Sequence, residues 1–121
     1  MRRSFIETQI FVEEWQAAGL TDEDLRGLQR ELLLDSDVGT VITGACGIRK
    51  VRIKGVNKGK RGGGRVIYKD YPKFQYLVLF YMYRKADKVD LTTDEKKAIC
   101  VALKRLESIS HGLYQGRGSK R

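Results

Sequence analysis

The chain has 121 residues, of which 41% are hydrophobic, and its six Tyr, four Phe and one Trp supply enough apolar surface for one domain with a real core. This composition excludes a disordered chain. The longest apolar run, residues 76–83, is too short to cross a bilayer, so we expect no membrane partner. The formal net charge of +9 favours a polyanionic partner.

The N-terminal third predicts a short strand followed by two helices. Residues 3–7 can form the strand, and residues 8–19 have apolar residues near helical spacing and end at a glycine. Thr21 is expected to cap a second helix, because three acidic residues follow it and suit the positive end of the helix dipole. This helix is expected to end at residues 35–39.

Three strands and a final helix are predicted in the remainder. Residues 49–54 alternate strictly between apolar and cationic side chains, which is typical of a half-buried strand. Residues 65–71 are β-branched and aromatic, and residues 74–85 are apolar on both faces, as in a central strand. Thr92 begins a capping box for a helix that should run to about Glu107.

The order β-α-α-β-β-β-α predicts an α+β fold, a small twisted antiparallel sheet with two N-terminal helices on one face and a C-terminal helix. We expect one domain over residues 1–110 and a basic, glycine-rich tail over residues 111–121 that frays.

The excess positive charge lies in one window. Residues 38–69 hold nine of the 24 cations and none of the 15 acids, so the rest of the chain is neutral. Like charges forced together in a fold are unfavourable unless a polyanion meets them, so the window predicts a nucleic acid or another phosphate partner. Within it, "GVNKGKR" (55–61) does not predict a nucleotide-binding loop, since its Gly-x-x-x-Gly-Lys spacing is one residue short and it joins two predicted strands instead of opening a helix.

The sequence contains few candidate residues for a metal site or for catalysis by histidine. His111 is the only histidine, so the residues favour neither a metal centre nor a Ser-His-Asp triad, and we expect no cofactor. Met1-Arg2-Arg3 is not followed by the apolar stretch of an export signal, so we expect a cytoplasmic protein. Cys46 and Cys100 lie far apart in the sequence, and we expect both to be reduced.

Cations and tyrosines are the remaining candidates for chemistry. Metal-free RNA cleavage uses the neighbouring 2′-OH as nucleophile and needs a base, positive charge at the phosphate and an acid. Lys50, Arg52 and Arg65 on adjacent strands can hold a phosphate, and Tyr83 and Lys85 share a face if their strand stays extended. Spacing alone favours the simpler alternative, a basic face that binds RNA without cutting it.

Two segments, "GIRKVRIKGVNKGKRGGGRVIYKDY" (47–71) and "YRKADKVDLT" (83–92), resemble the RelE/ParE superfamily of bacterial type II toxins and are closest to its HigB-like branch. The likeness covers roughly residues 5–100. It implies a RelE-like fold and a ribosome-dependent mRNA endonuclease that cleaves mRNA in the decoding site and arrests growth. It also implies a cognate antitoxin, a helix-turn-helix protein, through which alone the toxin would meet operator DNA.

Carried over residue by residue, the resemblance assigns roles within the basic window and just after it. Arg65 would stabilise the scissile phosphate, Lys85 would be the C-terminal catalytic cation, and Tyr83 stands two residues before it. The catalytic set is then Lys50, Arg52, Arg65, Tyr83 and Lys85, and contacts to mRNA or ribosomal RNA fall to Arg49, Lys54, Lys58, Lys60, Arg61 and Tyr68.

The chain departs from the pattern at one position that bears on catalysis. Leu91 stands where RelE-type toxins have a late Tyr that acts in the cut, so proton transfer would rest on Tyr83, a lysine or the ribosome. Two alternatives to an endonuclease stay open, the non-catalytic RNA- or ribosome-binding module and a ParE-like toxin directed at gyrase. The acidic helices over residues 8–34 are either the surface that faces the antitoxin or an ordinary solvated face.

Overall fold

The computed structural model describes residues 3–53, 63–85, 87–88 and 90–119, with side chains as far as Ile109. The chain packs as two compact units. The first comprises Met1–Thr43 and Gly47–Val89, and the second comprises Gly44–Cys46 and Asp90–Arg121. The boundary expected at residue 110 therefore falls inside the final helix.

The fold class predicted from the sequence is confirmed, with three helices and a five-stranded, mostly antiparallel sheet. The elements in chain order are β1 (Ser4–Glu7), α1 (Gln9–Ala17), α2 (Asp22–Leu34), β2 (Thr40–Val41), β3 (Arg49–Ile53), β4 (Gly64–Tyr71), a 3₁₀ turn (Pro72–Phe74), β5 (Tyr76–Arg84) and α3 (Thr93–Ser119). The strand order is β1-β5-β4-β3-β2, and the two-residue β2 was not predicted.

The edge strand β1 runs parallel to β5, whereas the sequence predicted an antiparallel sheet throughout. The residue pattern of a short strand does not encode its partner or its direction, which explains the difference. An ion pair anchors this edge, because Arg3 Nε donates to an Asp70 carboxylate oxygen on β4 at 2.7 Å. Hydrogen bonding to Asp70 raises the pKa of Arg3 above its usual value.

Both N-terminal helices begin at threonine caps, of which the cap at Thr21 was predicted. The Thr8 hydroxyl accepts from the backbone N–H of Phe11 at 3.1 Å and donates to the Phe80 carbonyl at 2.7 Å, which ties the start of α1 to β5. At α2, Thr21 and Asp24 form a reciprocal capping box. Each cap satisfies helical N–H groups that have no partner within the helix.

The helices α1 and α2 supply the apolar side chains that cover one face of the sheet. The buried cluster combines Phe11, Trp15, Leu28 and Leu32 from the helices with Val51, Ile53, Val66, Tyr68, Leu77, Leu79 and Met82 from the strands. Because side chains alternate along a strand, the neighbours of these strand residues point to the opposite face. β5 is buried at residues of both faces, as the apolar run predicted.

A bulge between β4 and β5 sets the alignment of the opposite face. Ile67 pairs with Tyr81, but the next residue, Tyr68, pairs with Leu79, so Phe80 is an extra residue on β5. The bulge allows both Leu79 and Met82, which are three residues apart on β5, to enter the buried cluster.

In the second unit, the predicted capping box of α3 is confirmed. The backbone N–H of Thr92 donates to the Glu95 carboxylate at 2.8 Å, and the N–H of Glu95 donates to the Thr92 hydroxyl at 3.1 Å. The helix continues to Ser119, past the predicted end near Glu107, so the segment expected to fray is helical through residue 119. No helix among the described residues is both long and apolar enough to cross a membrane.

The expectation of two reduced cysteines is wrong for this structure. Cys46 and Cys100 form a disulfide whose Cα atoms are 5.7 Å apart, a separation that suits the bond. The two residues are 54 positions apart in the chain, so their proximity depends on tertiary structure and leaves no local pattern.

Candidate nucleic-acid interface

The register of β3, β4 and β5 brings four of the predicted site residues onto one face. Arg52 pairs with Arg65, and Arg65 pairs with Tyr83. Lys50 lies two residues before Arg52 and pairs with Ile67, which in turn pairs with Tyr81. We call this surface, opposite the cluster beneath α1 and α2, the cationic face; it is defined by Lys50, Arg52, Arg65, Tyr81 and Tyr83.

Arg52 and Arg65 form a like-charge pair directly across two strands. Arg52 is exposed and Arg65 is half-buried, with Nη1 donating to the carbonyl of Gly64 at 3.2 Å. Among the described residues, no ion pair with a carboxylate engages either guanidinium. Directly opposed like charges destabilise a sheet, so an anion between the two guanidiniums would relieve the repulsion.

A groove of about 430 Å³ lies between α2 and the end of β3 and is lined by Arg52. Its charged lining consists of Glu23, Asp24, Glu31, Arg30 and Arg52. The groove therefore carries both signs, and Arg52 stands where the acidic helix meets the cationic face.

Arg49, a predicted RNA contact, is held by the loop before β2. Its guanidinium donates to the carbonyls of Gly39 and Asp37 at 2.8 and 3.2 Å and lies 3.4 Å from the Asp37 carboxylate. An acid just outside the basic window thus offsets one cation inside it. Arg49 therefore anchors the loop before β2 to β3.

Tyr68, the one aromatic residue among the predicted RNA contacts, is fully buried. Its hydroxyl donates to the Ser36 carbonyl at 2.8 Å and accepts from the Gly39 N–H at 2.9 Å. Burial raises its pKa above the usual tyrosine value. The prediction that Tyr68 contacts RNA is wrong for this structure, because Tyr68 faces the core together with Val66, two residues before it on β4.

Gly39 allows this arrangement because no other residue would fit. A Cβ at Gly39 would lie 2.7 Å from the Tyr68 ring and 2.8 Å from the Lys50 carbonyl oxygen. Such approaches are not tolerated between real atoms, so the loop, Tyr68 and the start of the cationic face are packed as one piece.

Tyr83 and Lys85 do not form the pair that the sequence predicted. The Tyr83 side chain is 3% exposed and its hydroxyl oxygen is inaccessible. β5 ends at Arg84, so Lys85 lies in a turn with an exposed side chain, while its backbone N–H donates to Gly63 at 3.1 Å. The condition of an extended strand through Lys85 is therefore not met.

Lys88 lies over the tyrosines instead. Its Nζ is 5.7 Å from the ring centroid of Tyr81 and 5.9 Å from that of Tyr83. The turn that returns it to the sheet is closed by an ion pair at 3.0 Å between Arg84 and Asp87 and by the Lys88 N–H, which donates to the Arg84 carbonyl. Sequence reasoning missed Lys88; the only local signal is the Tyr-x-Tyr pair five and seven residues before it.

The four remaining cations predicted to contact RNA, Lys54, Lys58, Lys60 and Arg61, lie outside the described residues. The strands that flank them are antiparallel neighbours paired as far as Ile53 and Gly64, which confirms a strand-to-strand connection. Gly63 has a φ of +46° and would place a Cβ 2.5 Å from the Ile53 carbonyl oxygen. The chain therefore enters β4 through a position that favours glycine.

In the described part of the chain, no group of three His, Cys, Asp or Glu side chains could hold a metal ion. No protein-family model matches the chain. The likeness to the RelE/ParE superfamily therefore remains a prediction from the motifs in residues 47–71 and 83–92.

Proposed function

We propose that this protein is the toxin of a type II toxin–antitoxin system, a metal-independent endonuclease that binds the ribosome and cleaves mRNA in the decoding site. The observation that carries the proposal is the cross-strand pair of Arg52 and Arg65 on a face that also holds Lys50. The motif resemblance to HigB-like toxins supplies the identity of the polyanion. Its site of action would be the cytoplasm, where translating ribosomes are found.

The arginine pair suits the electrostatic demand of the reaction. When a 2′-OH attacks the adjacent phosphorus, negative charge accumulates on the phosphate oxygens and the 5′-oxygen leaves. Two guanidiniums on neighbouring strands can donate to those oxygens from a fixed scaffold. Arg65, half-buried on the central strand β4, is the more constrained of the two.

Proton transfer is the step to which the predicted catalytic tyrosine does not contribute in this structure. Because the Tyr83 hydroxyl is inaccessible, it is closed to a substrate in this structure. The 2′-OH proton would then pass to a lysine or to a group of the ribosome, which agrees with a requirement for translating ribosomes.

The same burial of Tyr83 favours a second candidate, an RNA- or ribosome-binding module that makes no cut. Such a module would use the cationic face in the same way, and its affinity would fall steeply with salt as phosphate contacts release counterions. A gyrase-directed toxin of the ParE type is a third alternative, which DNA-damage signalling without mRNA cleavage would reveal.

The antitoxin is proposed to bind the acidic side of the molecule. α2 carries Asp22, Glu23 and Asp24 in its first turn, and the mixed-charge groove connects this helix to Arg52. A basic segment of a helix-turn-helix antitoxin that occupied the groove would cover Arg52 and block RNA. Operator DNA would then be bound by the antitoxin alone.

The experiment is inducible expression in bacteria together with primer extension on mRNA from translating ribosomes. The wild-type chain should arrest growth and produce new 3′ ends inside A-site codons, and Arg65→Ala should reduce cleavage about 100-fold or more. Arg26→Ala is the matched control, because this exposed arginine on α2 lies away from the cationic face.

The outcomes separate the candidates. Growth arrest without new 3′ ends, relieved by Arg65→Ala, would replace the endonuclease with the binding module. Full cleavage by Arg65→Ala would show that the assigned site is wrong.

A further inference from the structure

We infer that Lys88, and not Lys85, is the cation that extends the row of Arg52 and Arg65 across β5 and contacts a phosphate of the bound RNA. This inference rests on the proposed binding of RNA by the cationic face and adds a residue that the motif comparison does not assign.

The position of the Lys88 ammonium follows from the rings beneath it. Tyr81 and Tyr83 are two residues apart on β5 and point to the cationic face, since their strand partners are Ile67 and Arg65. Their ring centroids are 6.2 Å apart, and Lys88 Nζ is within 6 Å of both. The ammonium is therefore on the same side of the sheet as Arg65.

The turn after β5 holds Lys88 there. The Asp87 and Lys88 backbone N–H groups both donate to the Arg84 carbonyl, at 2.9 and 3.3 Å, while the Arg84 side chain is paired with the Asp87 carboxylate. Lys88 itself is half-buried, so fewer side-chain conformations are lost on binding than for a fully exposed lysine. Lys85, earlier in the same turn, is exposed and has no ring beneath it among the described contacts.

The row that results runs from Arg52 through Arg65 and Tyr83 to Lys88. Neighbouring strands are about 4.8 Å apart, so the backbone positions of Arg52 and Tyr83 are separated by about 10 Å. The side chains at the two ends can therefore meet different phosphates. Lys88 would neutralise a phosphate next to the one held by the arginine pair, and the Tyr81 ring beside it would offer a surface for a base.

The test measures the affinity of the purified protein for a short single-stranded RNA. Fluorescence anisotropy gives the binding constant K at each of a range of salt concentrations. Loss of one phosphate contact makes the slope of log K against log salt shallower by about 0.7. We expect this change for Lys88→Gln and recovery of the wild-type slope for Lys88→Arg. Lys73→Gln, an exposed lysine in the 3₁₀ turn, should keep the wild-type slope.

Two further variants distinguish the failure of this inference from the failure of the proposed function. If Arg65→Gln flattens the slope but Lys88→Gln does not, or if Lys85→Gln flattens it in place of Lys88→Gln, the role of Lys88 is overturned while RNA binding stands. If neither Arg65→Gln nor Lys88→Gln changes the slope, the cationic face does not bind RNA and both proposals fall. Circular dichroism of each variant establishes that a change in slope does not reflect loss of fold.

Discussion

The hydroxyl of Tyr68 should stabilise this fold more than the hydroxyl of any exposed tyrosine does. Tyr68→Phe keeps the buried ring but removes a donor to the Ser36 carbonyl and an acceptor for the Gly39 N–H. A buried hydrogen bond contributes about 1 kcal/mol net, and a buried donor left without a partner costs about 1–3 kcal/mol. We therefore expect the variant to lose about 2–3 kcal/mol of its free energy of unfolding.

Urea unfolding of the variant and of a matched control measures this loss. Tyr76→Phe is the control, because the Tyr76 hydroxyl is also buried but has no hydrogen-bond partner among the described residues. Removing that hydroxyl should be neutral or stabilising, since the polar group was desolvated without compensation. The midpoint should fall for Tyr68→Phe at unchanged m-value and should not fall for Tyr76→Phe. Equal losses in the two variants would refute the reasoning.

The pH dependence gives an independent check. Burial raises the pKa of Tyr68, so the unfolded chain releases this proton first as the pH rises past the ordinary tyrosine pKa of about 10. Between the two pKa values the folded state binds more protons, and the free energy of unfolding therefore decreases with increasing pH. The difference in stability between wild type and Tyr68→Phe should shrink above about pH 10. A difference that stays constant to high pH would contradict the assigned burial.

Three other changes probe the stability of the fold. Gly63→Ala should lower the free energy of unfolding, measured in urea, by at least about 1–2 kcal/mol, because φ is +46° and the new Cβ would meet the Ile53 carbonyl. An unchanged free energy of unfolding would refute the close approach. Replacing Cys46 and Cys100 by serine should cost up to about 4 kcal/mol and make stability insensitive to dithiothreitol, since the bond joins residues 54 positions apart; a wild-type midpoint under both conditions would argue against the crosslink. Thr92→Ala should cost about 1 kcal/mol through loss of the cap, measured as a lower midpoint, and an unchanged midpoint would contradict a stabilising role.

Local patterns predicted those features that depend on neighbouring residues. The caps predicted at Thr21 and Thr92 are confirmed because each is a hydrogen bond within one turn of helix. The alternation in 49–54 placed Val51 in the core and Arg52 outside it, since a strand has period two wherever it lies.

Long-range contacts decided the features that sequence reasoning missed. The bulge at Phe80 interrupts the period of β5, so that Leu79 and Met82, three residues apart, both face the buried cluster. The turn that follows β5 moves Lys85 out of the strand and brings Lys88 over the tyrosines. Neither change alters the composition of the segment, so no local pattern reveals it.

By itself, then, the sequence determined the α+β class, the helix starts and a window of nine cations without an acid, because propensity, capping and charge are properties of short segments. Only the tertiary structure decided that Arg52 faces Arg65, that β1 is parallel to β5, and that Cys46 meets Cys100. Strand register, strand direction and crosslinks depend on which distant segments pack together, and that choice is made by the core as a whole.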